Sequence, residues 1–253
     1  MAEAILSRLL SQQVFAPNTV LVSEPKSPRR DYLAQKYQVG VTQDNQTVAE
    51  AAEILLLAVK PQLFDSVTAD LATNAGNAVI SILAGVTIAR LERAFPNRAV
   101  IRVMPNTPAT VGAGMTAIAL GTQADSKHLE RAKTIFLAVG DVVEVPESSI
   151  DAVTGLSGSG PAFVALAIEA LADGGVASGL PRAIALQLAT QTVLGTATLV
   201  KETGKHPGVL KDQVTSPGGT TIAGVAKLES LGFRSALIEA VKTATARSKE
   251  LGE

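Results

Sequence analysis

The chain has 253 residues, with 22 lysines and arginines against 23 aspartates and glutamates and a formal net charge of -1; that balance, without a long run of either sign, points away from nucleic acid and membrane surfaces and toward a small-molecule partner. Cysteine is absent, which excludes disulfides, thiolate metal sites and thiol nucleophiles and is compatible with a reducing compartment such as the cytoplasm. Hydrophobic residues reach 47% but aromatic ones only 3%, so the core must be closely packed Ala, Val, Leu and Ile, in one large or two moderate domains.

The opening MAEAILSRLL carries an acidic Glu3 and no basic start, so it reads as an amphipathic helix, with Ile5, Leu6, Leu9 and Leu10 on one face, rather than as a secretory leader. From there to about residue 146 short apolar runs alternate with amphipathic segments, the βαβ rhythm of a doubly wound sheet. Strands are predicted at 19–24, 38–41, 53–59, 78–83, 99–104, 114–120 and 141–145, several of them apolar on both faces as strands covered on each side should be. Helices are predicted at 27–37, 61–72, 87–95 and 126–139, two of them with Ser or Thr at a plausible cap.

Beyond Pro146 the texture changes to long Ala- and Leu-rich segments separated by Gly and Pro. The expected division is a Rossmann-like α/β domain over 1–148 and an all-helical domain over 149–253. The stretch 160–180 is interrupted by Glu169 and Asp173 and makes a poor membrane span. Segments 162–180 and 182–200 are apolar on more than one face, which one thin helical layer cannot cover, and this predicts a homodimer or larger homo-oligomer.

A doubly wound nucleotide-binding domain opens with a strand, a Gly-rich turn and a helix whose N-terminus faces the pyrophosphate. Here the chain starts on the helix, so the first strand and its phosphate cradle are expected to be missing, with Met1 an internal methionine rather than the start. Losing that strand would leave two neighbours in the sheet without a partner.

The most specific segment is LKDQVTSPGGTTIAGVAKLE, residues 210–229. Ser216, Pro217, Gly218 and Gly219 make a turn directly before a helix, which aims free main-chain N–H groups and the positive helix end at one point, an anion site. An ordinary capped helix start is the plainer reading of a bare PGGTT.

That segment closely resembles the signature of the pyrroline-5-carboxylate reductases, and AVKPQ (58–62), VMPNTP (103–108), GLSGSGPAF (155–163) and FRSALIEAV (233–241) resemble further blocks of the family in the expected order, over nearly the whole chain. The resemblance implies an oxidoreductase of proline biosynthesis that reduces the cyclic imino acid 1-pyrroline-5-carboxylate to L-proline with NAD(P)H. It implies that Ser216, Gly218, Gly219, Thr220 and Thr221 hold the substrate carboxylate and that the Thr221 hydroxyl, the catalytic contact, meets the ring nitrogen. It places Ala58, Val59, Lys60 and Pro61 beside the nicotinamide, where a strand end with a Pro-led helix is the plainer reading, and Asn45 on the adenosine side, where helix capping is; Met104, Asn106 and Thr107 could border nicotinamide and substrate, with a rigid structural turn as their alternative. A protonated imine is already electrophilic, so no strong side-chain acid is required.

Cofactor choice is read at the end of the second-strand segment, VSEPKSPRR, where Ser23, Lys26, Arg29 and Arg30 suit the extra phosphate of NADPH and Glu24 suits NADH. NADPH is favoured, with NADH the alternative. Tyr32 and Lys36 form a YxxxK pair on a helix expected to lie far from the hydride, so it is read as a decoy. His128 reads as a solvated helix residue and His206 as a loop or helix-start residue, and no metal site is expected. Two rival readings are a β-hydroxyacid dehydrogenase, with Lys201, Lys205 or Lys211 as acid/base, and a non-catalytic truncated dimer that binds no cofactor.

Overall fold

In the computed structural model, residues 1–69, 71 and 78–252 are described. The chain divides into two compact units, Met1–Ser159 with Thr243–Glu253, and Gly160–Lys242. The division expected at 148/149 follows element type; by packing, the first unit runs on to Ser159.

All seven predicted strands are present: β1 (Leu21–Ser23), β2 (Gly40–Thr42), β3 (Ile54–Leu57), β4 (Ala78–Ser81), β5 (Ala99–Met104), β6 (Gly114–Leu120) and β7 (Gly140–Glu144). The sheet order β3-β4-β5-β6-β7 is parallel except where β5 meets β6. β1 and β2 form a separate parallel pair, so among the described residues neither β1 nor β3 has a strand partner on its other side. A doubly wound sheet would be continuous here.

Helices α1 (Ala2–Ser11), α2 (Ser27–Tyr37), α3 (Asn45–Ala51), α4 (Phe64–Ala69), α5 (Ile88–Ala94) and α6 (Ser126–Leu137) cover the strands. The helix expected over 61–72 opens with a 3₁₀ turn, Pro61–Leu63, and its positions 70 and 72 lie outside the described residues. Alternation along the buried strands sends side chains to two faces. Ile80, Ile101, Val103 and Ile118 pack with Ile5 and Leu9 of α1 and with Leu129, Ile135 and Phe136 of α6. Leu55, Leu57, Val79 and Val100 pack with Ala49, Phe64, Leu91 and Phe95 on the other side. Thr87 does cap α5, accepting from the Arg90 N–H at 3.2 Å. Ser126 does not cap α6; Asp125 accepts from the amides of Lys127 and His128 in a capping box, because a carboxylate one residue earlier reaches both free N–H groups. At α2 the cap position is Lys26, without a side-chain bond.

The first unit closes through α7 (Ile150–Val153) and a π-helical turn, Thr154–Gly158. Ser248, near the end of α12 (Phe233–Gly252), is buried and donates to Asp151 Oδ1 at 2.7 Å.

In the second unit α8 (Gly160–Ala177) and α9 (Arg182–Thr203) pack on each other through Ala172, Ala185 and Ala189. Small residues let the two backbones approach closely. α10 (Pro207–Gln213) and α11 (Thr220–Ser230) follow. This unit exposes many large apolar side chains, among them Leu166, Leu171, Leu188, Leu194, Ile222, Leu228 and Ile238. By length and composition alone, Glu147–Ala177 and Arg182–Thr203 are long and apolar enough to cross a membrane. An apolar surface this large on one chain also fits a face shared between copies.

Candidate active site

The parallel strands β3, β4 and β5 bring AVKPQ and VMPNTP to the same C-terminal edge of the sheet, where open α/β sheets bind ligands. Ala58 and Val59 leave β3, and Lys60 precedes the 3₁₀ turn at Pro61. Val59 and Lys60 are exposed, and the Lys60 ammonium has no partner among the described residues. Met104 ends β5 and is buried, Asn106 is half-buried, and Thr107 starts a 3₁₀ turn, Thr107–Val111, and is exposed. The Asn106 amide is committed internally: Oδ1 accepts from the Met115 N–H at 2.8 Å and Nδ2 donates to the Ser157 carbonyl at 3.1 Å.

Ser23 and Asn45 come together, the Ser23 hydroxyl donating to Asn45 Oδ1 at 2.6 Å. Capping of α3 falls instead to Asp44, which accepts from the amides of Gln46 and Thr47, so the plain capping alternative for Asn45 is not realised. Of the basic residues nearby, Arg29 pairs with Glu3, and Arg30 donates to the carbonyls of Glu24 and Pro25 at 2.8 and 2.9 Å. The Lys26 side chain alone among these cations has no partner within the described residues, while its main-chain N–H binds Glu24 Oε1 at 3.0 Å. Position 26 therefore offers an unengaged positive charge and position 24 an acceptor already in use.

Tyr32 and Lys36 belong to a cluster around Glu3 that fastens α1 to α2. Glu3 Oε1 receives the hydroxyls of Tyr37 and Tyr32 at 2.7 and 3.0 Å and the Lys36 ammonium at 3.1 Å. Led by the Tyr37 and Arg29 hydrogen bonds, these contacts pull the Glu3 carboxyl down to about 2. A carboxyl with a depressed folded-state pKa contributes stability above its unfolded value, about 4.5, and loses that contribution as pH falls toward 2. Because Glu3 is partly solvated, we expect the loss to amount to about 1 kcal/mol. Acid titration of Glu3→Gln, followed by amide exchange in α1 and α2, should show a flatter profile than the native chain between pH 4.5 and 2.

The Ser216–Gly219 turn of the second unit is as open as its sequence suggests. Gly219 is the N-cap residue of α11 and supplies no side chain, while Gly218 takes φ +66°, the left-handed region that glycine tolerates. No acceptor meets the N–H groups of Gly218, Thr220 or Thr221, nor the Ser216, Thr220 and Thr221 hydroxyls, among the described residues. The Gly219 N–H, among the residues expected to hold the carboxylate, is not free for it: it closes the turn onto the Ser216 carbonyl at 3.1 Å. Gly219 matters instead for space, since a Cβ there would lie 2.3 Å from Ser216 Oγ. His206 caps α10, accepting from the Gly208 N–H at 3.1 Å, and His128 belongs to the α6 capping box. Among the described residues no cluster of His, Asp or Glu could hold a metal.

The chain is 64% identical over 254 residues to a pyrroline-5-carboxylate reductase from Synechocystis sp., covering 100% of this chain and 95% of the relative. It belongs to the pyrroline-5-carboxylate reductase family. A family model described as pyrroline-5-carboxylate reductase dimerisation matches 147–251, and one described as NADP oxidoreductase, coenzyme F420-dependent, matches 1–85. The Coxiella burnetii reductase structure superposes with a TM-score of 0.91 at 35% identity, covering 100% of this chain and 95% of that one. The Plasmodium falciparum reductase, solved with NADP bound, gives 0.88 at 29%, covering 99% and 94%. The dimerisation match accounts for the bare apolar helices of the second unit, and family membership removes the β-hydroxyacid dehydrogenase reading.

Sequence reasoning missed Ser157 and Met115 as the partners of Asn106, and Asp44 as the cap beside Asn45. A DxxT pattern at 44–47 was a legible signal for the second; spacing carried none for the first.

Proposed function

We propose that the chain is an NADPH-preferring 1-pyrroline-5-carboxylate reductase of the cytoplasm, with NADH as a poorer donor, working as a homo-oligomer. The uncapped start of α11 at Gly218–Thr221 carries this reading: three free amides and the helix dipole suit the substrate carboxylate, and the Thr221 hydroxyl is unengaged. Ser216 and Thr220 close the loop around that carboxylate, and Gly219 leaves room for Ser216.

The strand ends fit a dinucleotide in the same terms. Lys26, with Ser23, would suit the 2′-phosphate of NADPH and Asn45 the adenosine; Ala58, Val59, Lys60 and Pro61 would hold the nicotinamide together with Met104 and Thr107, on the loop that Asn106 ties down. When bound, the dinucleotide supplies the hydride. The protein's own residues bind and orient: the socket fixes the carboxylate, and the Thr221 hydroxyl oxygen accepts from the protonated ring nitrogen. Since the imine nitrogen is already protonated near neutral pH, hydride addition yields the amine without an acid from the protein.

NADPH oxidation with 1-pyrroline-5-carboxylate tests the reading; absent turnover by folded protein overturns it. Thr221→Val should lose about 10- to 100-fold in kcat/KM, from an oriented contact of about 1–3 kcal/mol, with an unchanged melting temperature. Unchanged turnover would make Thr221 a bystander at the helix start.

A further inference from the structure

We propose that Asn106 is a positioning residue that substitutes for missing main-chain partners on two sides at once, and so sets the place of the loop carrying Met104 and Thr107. The proposal rests on the reductase reading for its kinetic consequence and on hydrogen bonding alone for its structural one.

Ser157 lies in the π-helical turn Thr154–Gly158, where Ser159 bonds back five residues to Thr154 at 2.8 Å. In a regular helix the Ser157 carbonyl would receive the N–H of residue 161. That residue is Pro161, which has none to give. A half-buried carbonyl left this way needs another donor, and Asn106 Nδ2 is that donor at 3.1 Å.

On the opposite side, pairing of β5 with β6 runs from Ile101↔Leu120 to Met104↔Ala117 and stops. Beyond it the Met115 N–H donates to Asn106 Oδ1 at 2.8 Å. One amide side chain, with an acceptor and a donor at its two ends, thus ties the loop after β5 to the start of β6 and to a turn 51 residues away. The next positions of the loop are held by their own bonds, Ala113 to the Pro108 carbonyl at 3.1 Å and Gly112 to the Ala109 carbonyl at 3.2 Å. From behind, the Arg8 guanidinium of α1 lies against Gly112 and donates to the Ala138 carbonyl at 3.2 Å. Asn106 is the member of this frame that reaches the Thr154–Gly158 turn.

Asn106→Asp keeps the acceptor for Met115 but sets a carboxylate oxygen against the Ser157 carbonyl. Pro161→Ala returns an N–H at the position where Ser157 needs one. Amide exchange in the free protein should therefore quicken at least tenfold at 154–160 in Asn106→Asp, stay nearly native at 115, and return most of the way in the Asn106→Asp, Pro161→Ala double variant. In turnover, Asn106→Asp should lower kcat at least tenfold while the NADPH dissociation constant stays within twofold, with kcat partly restored in the double variant. Native exchange at 154–160 in Asn106→Asp, or no rescue by Pro161→Ala, overturns the staple itself. An NADPH dissociation constant that rises in step with the loss of kcat overturns positioning in favour of direct contact. If the native protein turns over no imino acid, the reductase reading fails, and the exchange measurements still decide whether the staple exists.

Discussion

Gly140→Ala is expected to lower the stability of the first unit by about 4 kcal/mol or more, enough to leave little folded protein at 37 °C. Gly140 opens β7 at φ +149°, a conformation foreign to L side chains. Its Cβ would sit 1.9 Å from the carbonyl oxygen and 2.4 Å from the nitrogen of Gly114, its register partner on β6. Both are backbone atoms, and Gly114 is itself held in place: its N–H donates to the Val139 carbonyl at 2.9 Å, and even a Cβ built on it would lie only 2.8 Å from that oxygen and 2.9 Å from the Ala109 Cα. Gly112→Ala is the control. Its Cβ would first meet the guanidinium of Arg8, the far end of a flexible side chain, so it should suffer little beyond the left-handed strain at φ +77°, about 1–2 kcal/mol. Denaturant melts of the two variants should differ clearly; equal melts would mean that the β6–β7 approach is looser than its geometry.

Glu147→Ala should cost about 2–4 kcal/mol, and Arg102→Met much less. Arg102 stands in the middle of β5 with its side chain 6% exposed, and its Nη1 meets Glu147 Oε1 at 3.0 Å. The same oxygen accepts the Ile88 N–H at 2.6 Å. Removing the carboxylate strands a buried guanidinium and uncovers an amide in the first turn of α5. Removing the guanidinium leaves Glu147, one third exposed, still solvated and still bonded to Ile88. Thermal melts of both variants, with Glu147→Gln as a milder third, test the asymmetry; an Arg102→Met penalty as large as that of Glu147→Ala would show that the arginine is held by packing of its stem rather than by its charge.

Much of this architecture can be read from composition and spacing because buried strands announce themselves. AVIRVM and GMTAIAL are apolar on both faces and bounded by turn residues, and β5 and β6 occupy those residues. The three-residue strands β1 and β2 are shorter than the runs that signal them, since hydrogen bonding to a single partner ends sooner than hydrophobicity does. The turn before α11 was legible because Gly and Pro punctuate locally and a helix start needs no distant partner. What local pattern cannot express is pairing across the chain. Nothing within ten residues of Asn106 indicates Ser157, and nothing near Arg102 indicates Glu147; both depend on strand order and on where α7 begins. The π-helical turn was equally hidden, because GLSGSGP reads as a loop or a helix start until the groups that donate to its carbonyls are known.

Tyrosine occurs twice in the chain and tryptophan not at all. Tyr32 and Tyr37 are both on α2, both bonded to Glu3. Ultraviolet emission and near-ultraviolet dichroism from tyrosine will therefore register only whether the first helix is seated on the second, and remain blind to dissociation of subunits or melting of the helical unit. A loss of that signal at low pH is a local optical report, which must be compared with far-ultraviolet dichroism before it is read as unfolding.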